Sequence, residues 1–147
     1  MYQWLKHQIK SIREVSLRRG RSMKCLSIRG ANTVNENSRE EILEATTHLL
    51  QAILEANAIR TEQVIQILFT ATRDLDAVYP AVAARQLGIT EAALMCMQEL
   101  EVEGSLQKCI RVAVLIESDI LTRQTLKHQY LGGAKVLRPD LVKGETR

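Results

Sequence analysis

Three arginines stand among apolar or small neighbours: Arg29 between Ile28 and Gly30-Ala31, Arg85 after Ala83-Ala84, and Arg111 between Ile110 and Val112. A guanidinium stays charged at any working pH, so drawing one into such a setting requires an anion, either a protein carboxylate or a ligand. Three of them converging would suit a ligand with two negative charges. Singly, each could instead snorkel to solvent or make an ordinary ion pair. Glu99, after Cys96-Met97-Gln98, could accept a ligand hydroxyl or pair with one of the arginines. Cys96 would need a base or a strong positive field to act as a nucleophile. No Cys-His-Asn order accompanies it, which favours a packing or pocket-wall role. His128 and Tyr130 are two apart and share a strand face; His128 reads as structural and Tyr130 as a sheet-edge or interface residue. Cys25, Cys96 and Cys109 form no CxxC pair, and His7, His48 and His128 do not join them at metal-ligand spacing, so a structural zinc site is not expected.

The elements that must hold these residues alternate in type. Cys25 to Val34 is strand-like, with Leu26, Ile28 and Gly30 on one face and Arg29 interrupting a small-residue face of Cys25, Ser27 and Ala31. Ser38 with Glu41 forms a capping box, and apolar residues recur at helical spacing from Ile42 to Leu54, ending near Ala56-Asn57. Val64 to Ala71 is a nearly continuous apolar run, which predicts a central strand covered on both faces. Pro80 and Gly88 bracket a short helix carrying Arg85. A strand around Ala92 to Met97 and a polar turn at Glu101 to Ser105 precede a strong strand, Cys109 to Glu117, with Ile110, Val112, Val114 and Ile116 on one face. An irregular turn near Leu121 to Leu126 leads to a short strand at Lys127 to Leu131, and Gly132-Gly133 turns the chain toward Pro139. The polar end predicts a mobile tail. The pattern is that of an α+β (mixed α/β) domain, one mixed sheet with helices packed on one face.

Length and composition set the outer limits. With 147 residues, 46% hydrophobic, 25% charged, and only seven Gly and two Pro, the chain reads as one soluble globular domain. Five aromatic residues argue against binding of single-stranded nucleic acid by base stacking. No apolar run approaches the roughly 18 residues a membrane-spanning helix needs. Neither GxGxxG nor GxxxxGK[ST] occurs, so dinucleotide and NTP chemistry lose their warrant. Of the net charge of +3, residues 1–22 carry +5, from six basic side chains against Glu14, which leaves −2 for the rest. This basic leader reads as a dispensable extension or an upstream start, as an address signal, or as an arm for nucleic acid or a membrane surface. The domain proper is expected over 23–141 and the tail over 142–147. An odd number of cysteines without a secretory signal fits a reducing cytoplasm.

The ordered motifs say more. Ile28-Arg29-Gly30-Ala31, Glu40-Glu41-Ile42-Leu43, Thr70-Ala71-Thr72, Asp74-Leu75, Tyr79-Pro80-Ala81, Cys96-Met97-Gln98-Glu99, Lys108-Cys109-Ile110-Arg111-Val112, Tyr130-Leu131 and Leu137-Arg138-Pro139-Asp140-Leu141 together resemble the monofunctional, trimeric α/β-type chorismate mutases, from about Cys25 to Leu141. The resemblance implies conversion of chorismate to prephenate in phenylalanine and tyrosine biosynthesis, with no cofactor and no metal. It also implies a pseudo-α/β-barrel homotrimer with active sites between adjacent subunits. By motif, Arg29, Arg85 and Tyr130 look like ligands on the carboxylate side, Arg111 like the donor to the ether oxygen, and Glu99 with Cys96 like contacts near the ring hydroxyl. Tyr79, Ala81 and Leu137 look like pocket walls. Val82 stands where some relatives have Lys, Met95 replaces a smaller polar residue, Asn32 a usual Thr, Arg73 a usual Pro, and Tyr79 a Phe. The competing reading is a non-catalytic trimer that binds small aromatic or keto-acid carboxylates, because fold alone does not fix function.

Overall fold

The computed structural model describes residues 22–142; the leader, apart from Ser22, and residues 143–147 lie outside them. Strand β1 (Lys24–Thr33) leads into helix α1 (Arg39–Ala56), and a 3-10 turn (Thr61–Gln63) precedes β2 (Val64–Ala71). Helix α2 (Ala81–Gln86), β3 (Ala93–Gln98), β4 (Cys109–Ser118) and β5 (Gln129–Tyr130) follow. A second 3-10 stretch (Gly132–Leu137) and the short helix α3 (Pro139–Val142) close the chain. The sheet is mixed, in the order β3-β2-β4-β1-β5. β4 runs antiparallel to β1 and β2, while β3 pairs parallel with β2 and β5 parallel with β1.

Helix α1 forms where its apolar period and its cap agree. The extended Ser38 accepts a hydrogen bond from the Glu41 N–H at 3.2 Å, satisfying one of the orphan donors of the first turn. The reciprocal half of the expected capping box goes elsewhere: the Glu41 carboxylate accepts from the backbone N–H groups of Asn35 and Glu36, at 2.8 and 3.1 Å. It thereby pins the loop that leaves β1. Ile42, Thr46, Leu49, Leu50 and Ile53 are buried, each apolar side chain contributing roughly 1.5–3 kcal/mol by removal from water. Leu49, Leu50 and Ile53 pack on Ile28, Ile67, Phe69, Val112, Val114 and Ile116 of the sheet and on Ala81, Ala84 and Ile89 of the α2 region, while Ile42 packs with Val34, Leu75 and Ile110. Gly30 lets α1 come close: a Cβ there would lie 2.8 Å from Ile53 Cδ1 and 2.9 Å from Leu49 Cδ1. Gly88, at φ +83°, ends the α2 region as expected.

Within the single chain, β2 is fully covered on one of its two faces. β2 is interior to the sheet, between β3 and β4, and Ile67 and Phe69 are fully buried. Its other face is not: Gln66, Leu68 and Thr70 are half-buried and Ile65 is exposed. The helices lie on one side, and the opposite face is covered at one end only, where Ala134 and Leu137 pack with Ala31, Cys109 and Tyr130. Pro139 opens a helical turn that takes in Val142, because proline is preorganised for a first helical position.

Candidate functional site

Strand register assembles the first half of the site. Tyr130 of β5, Ala31 of β1, Arg111 of β4, Thr70 of β2 and Met97 of β3 form one transverse row. Arg29, Ala113, Leu68 and Met95 form the next. Side chains two apart on a strand share a face, so Arg29, Arg111 and Tyr130 all stand on the face that the helices leave open.

Arg111 is held by its neighbours. Its Nε lies 3.2 Å from Glu99 Oε2, yet off the line a hydrogen bond requires, so this buried nitrogen has no hydrogen-bond partner. Such donors are rare and costly. Thr70 Oγ1 donates to the same Glu99 oxygen at 2.5 Å, and the Glu99 N–H donates to the Ala71 carbonyl at 2.8 Å. The carboxylate is thus fixed at the end of β3. The start of β4 is fixed as well. Thr72 Oγ1 accepts from the Cys109 N–H at 3.0 Å and donates to Asp74, which also accepts from the Lys108 N–H. Lys108 adopts φ +48° there. Burial raises the Cys109 thiol pKa, which keeps it protonated and unreactive.

Arg29 is positioned by its backbone, whose N–H donates to His128 Nδ1 at 3.0 Å. Burial, with the charges of Arg29 and Arg138, lowers the His128 pKa, and the neutral imidazole that results is the form able to accept this bond. Arg138, to which no role fell by motif, belongs to the same cluster. Its Nε and Nη2 donate to the two Asp140 carboxylate oxygens at 2.9 and 2.8 Å, and it interacts with Tyr130. The Arg-Pro-Asp spacing was the available signal, since it brings a carboxylate back onto a planar guanidinium fork. Thr70 was also missed, and only the register with Arg111 identifies it.

The remaining candidates sit on the other side of the sheet. Cys96 packs against the helix-side core and lines a groove of about 610 Å³ with Tyr79, Pro80, Val82 and Arg39. Tyr79 is 73% exposed. Ala81 lies in the core while Val82 faces the groove. Arg85 is exposed on α2 and makes no ion pair with a described residue. A single chain therefore unites Arg29, Arg111, Glu99, Tyr130 and Leu137 but leaves Arg85, Tyr79 and Cys96 on the far side. Among the described residues no three His, Cys, Asp or Glu side chains converge as metal ligands.

Residues 25–141 match the family described as chorismate mutase type I. The chain is 48% identical over 115 residues to chorismate mutase AroH of Bacillus subtilis (strain 168), covering 78% of this chain and 90% of that protein. It is 44% identical over 115 residues to the AroH of Thermus thermophilus, covering 78% and 93%. Among solved structures, a chorismate mutase from Clostridium thermocellum superposes with a TM-score of 0.74 at 49% identity, over 76% of this chain and 98% of the other. With the family's motifs spread in order over the whole described sheet, and the fold shared with a solved member, this chain belongs to the type I chorismate mutase family.

Proposed function

We propose that this protein converts chorismate to prephenate, acting in the cytoplasm as a homotrimer whose sites lie between adjacent chains. The rearrangement breaks one C–O bond and forms one C–C bond within a single molecule. Bond breaking runs ahead, so negative charge grows on the ether oxygen while the ring becomes electron-poor. No proton or covalent bond to the protein is needed. Catalysis then rests on holding the enolpyruvyl arm over the ring and on a fixed cation where charge develops.

The observation that carries this reading is the Arg111 guanidinium, held on the open sheet face by an ion pair of its Nε with Glu99 at 3.2 Å. A donor preorganised in this way gains most when an oxyanion forms within its reach. Arg29 and Tyr130, on the same face, suit the substrate carboxylates, and Glu99 the ring hydroxyl, with Leu137 packed alongside. Arg85, Tyr79 and Cys96, on the helix side, suit the site of the neighbouring chain, with Ala81 supporting that wall from behind. The half-open sheet face supports the trimer: Leu68, Met95, Met97 and Ile65 expose apolar surface that a second copy would cover.

The test is turnover of chorismate by the purified chain without added cofactor or metal, followed by loss of the substrate's ultraviolet diene absorbance. Saturable turnover is expected. A protein that binds prephenate yet leaves chorismate unchanged would instead be the carboxylate binder.

A further inference from the structure

We propose that Arg39 is a substrate-capture residue, its guanidinium drawing the dianionic substrate to the groove lined by Tyr79 and Cys96. Arg39 is the first residue of α1 and borders that groove. The position is unfavourable for a cation: the first turn of a helix concentrates positive partial charge from its free N–H groups and favours acids, such as Glu40 and Glu41 just after it. Nothing in the fold offsets this, because Arg39 is exposed and makes no ion pair or hydrogen bond with a described residue. The other cation at the groove has a carboxylate partner, and the groove's one carboxylate is hydrogen-bonded to an amide. Arg73 pairs with Glu101 at 3.3 Å, and Asp76 accepts from Asn37 Nδ2 at 2.6 Å. Arg39 is thus the cation without a carboxylate partner, among the described residues, at a groove that, on the reading above, receives a dicarboxylate. A residue that breaks a local stability rule without a structural return is the expected mark of function.

Arg39 lies on a different face from Arg111, so its effect falls on encounter and binding, not on the bond-making step. Such an effect is long-range and screened, fading as the Debye length shrinks to about 8 Å at physiological ionic strength. The experiment is steady-state kinetics of wild type, Arg39→Gln and Arg39→Lys at low and high salt, with melting temperatures. Arg39→Gln is expected to raise KM roughly three- to ten-fold at low salt, with kcat within about two-fold of wild type and the gap closing at high salt. Arg39→Lys should stay near wild type, because a point charge suffices for steering. The melting temperature of Arg39→Gln should be equal or higher, which separates capture from a structural role. An unchanged KM at low salt, or a rise that persists at high salt, overturns the assignment. A wild type that does not turn over chorismate defeats the underlying reading; active wild type with an indistinguishable Arg39→Gln defeats the Arg39 assignment alone.

Discussion

Arg111 carries its charge at every working pH, whereas His128 is held neutral so that it can accept the Arg29 N–H. The two residues therefore respond to different perturbations. Replacing Arg111 by Ala removes the cation and leaves Glu99 with Thr70 as its remaining close partner. The expected loss in kcat/KM is at least 10² to 10³, about 3–4 kcal/mol of transition-state stabilisation. Arg111→Lys should fail as well, because a point charge on a flexible stem does not reproduce the planar fork. His128 responds to pH. Its folded-state pKa lies below the ordinary 6.5, so the unfolded chain takes up the proton more readily. Its contribution to stability is complete above the unfolded value and is lost as pH falls through the lower folded one. Urea midpoints measured from about pH 8 down to about pH 5 should fall for wild type, and less steeply for His128→Gln, which keeps an acceptor but does not titrate.

At the level of elements, the site depends on how closely α1 approaches β1 and on how α1 ends. Arg29 is followed by Gly30, where an added Cβ would meet Ile53, Leu49 and the Gln129 carbonyl at 2.8, 2.9 and 3.0 Å. The last of these is backbone and cannot swing aside. Gly30→Ala should cost about 1–3 kcal/mol by overpacking, read as a lower denaturation midpoint. It should also disturb β5 and hence Tyr130. Ala58 is the opposite case. It ends α1 in the left-handed region, at φ +50°, with the Ile59 N–H donating to the Leu54 carbonyl at 2.9 Å. A Cβ is strained there, so Ala58→Gly should stabilise by roughly 0.5–1 kcal/mol, seen as a higher melting temperature with unchanged kinetics. Asn57, beside it, clamps the helix end to the segment before β5. Its Oδ1 accepts the Lys127 N–H at 2.8 Å, and its Nδ2 donates to the Lys127 carbonyl at 2.9 Å.

For the whole molecule, the sheet separates the two groups of candidate residues, which makes a chain-sharing site testable. Arg111→Ala disables one half and Arg85→Ala the other, so each variant alone should be nearly inactive. If they are refolded together in equal amounts, a ring of three has about one site in four with both halves intact, and activity should return to about a quarter of wild type. Mixtures that recover nothing beyond the sum of the separate variants would place both residues in one chain's own site. Native mass measurement of wild type should give three chains. Leu68→Glu, at the centre of the open face, should reduce this to one chain and abolish turnover while leaving the circular dichroism of the fold.

The sequence by itself determined the elements and their order and singled out three arginines among apolar neighbours, because periodicity, capping and turn chemistry act within a few residues. Ser38, Pro80 and Gly88 mark helix ends in any context, and the alternation in Cys109 to Glu117 assigns Arg111 a face without reference to any partner. Periodicity could not tell whether the apolar run of β2 is covered by its own helices or by another surface, since both bury the same side chains. Nor could it find Thr70, Arg138 or the His128–Arg29 bond, which join residues up to 99 positions apart. Those depend on strand register and on where the chain's end folds back. Only the tertiary structure decided that Arg29, Arg111 and Tyr130 share one face while Arg85 and Cys96 lie behind it, because pairing across strands converts local alternation into a common surface.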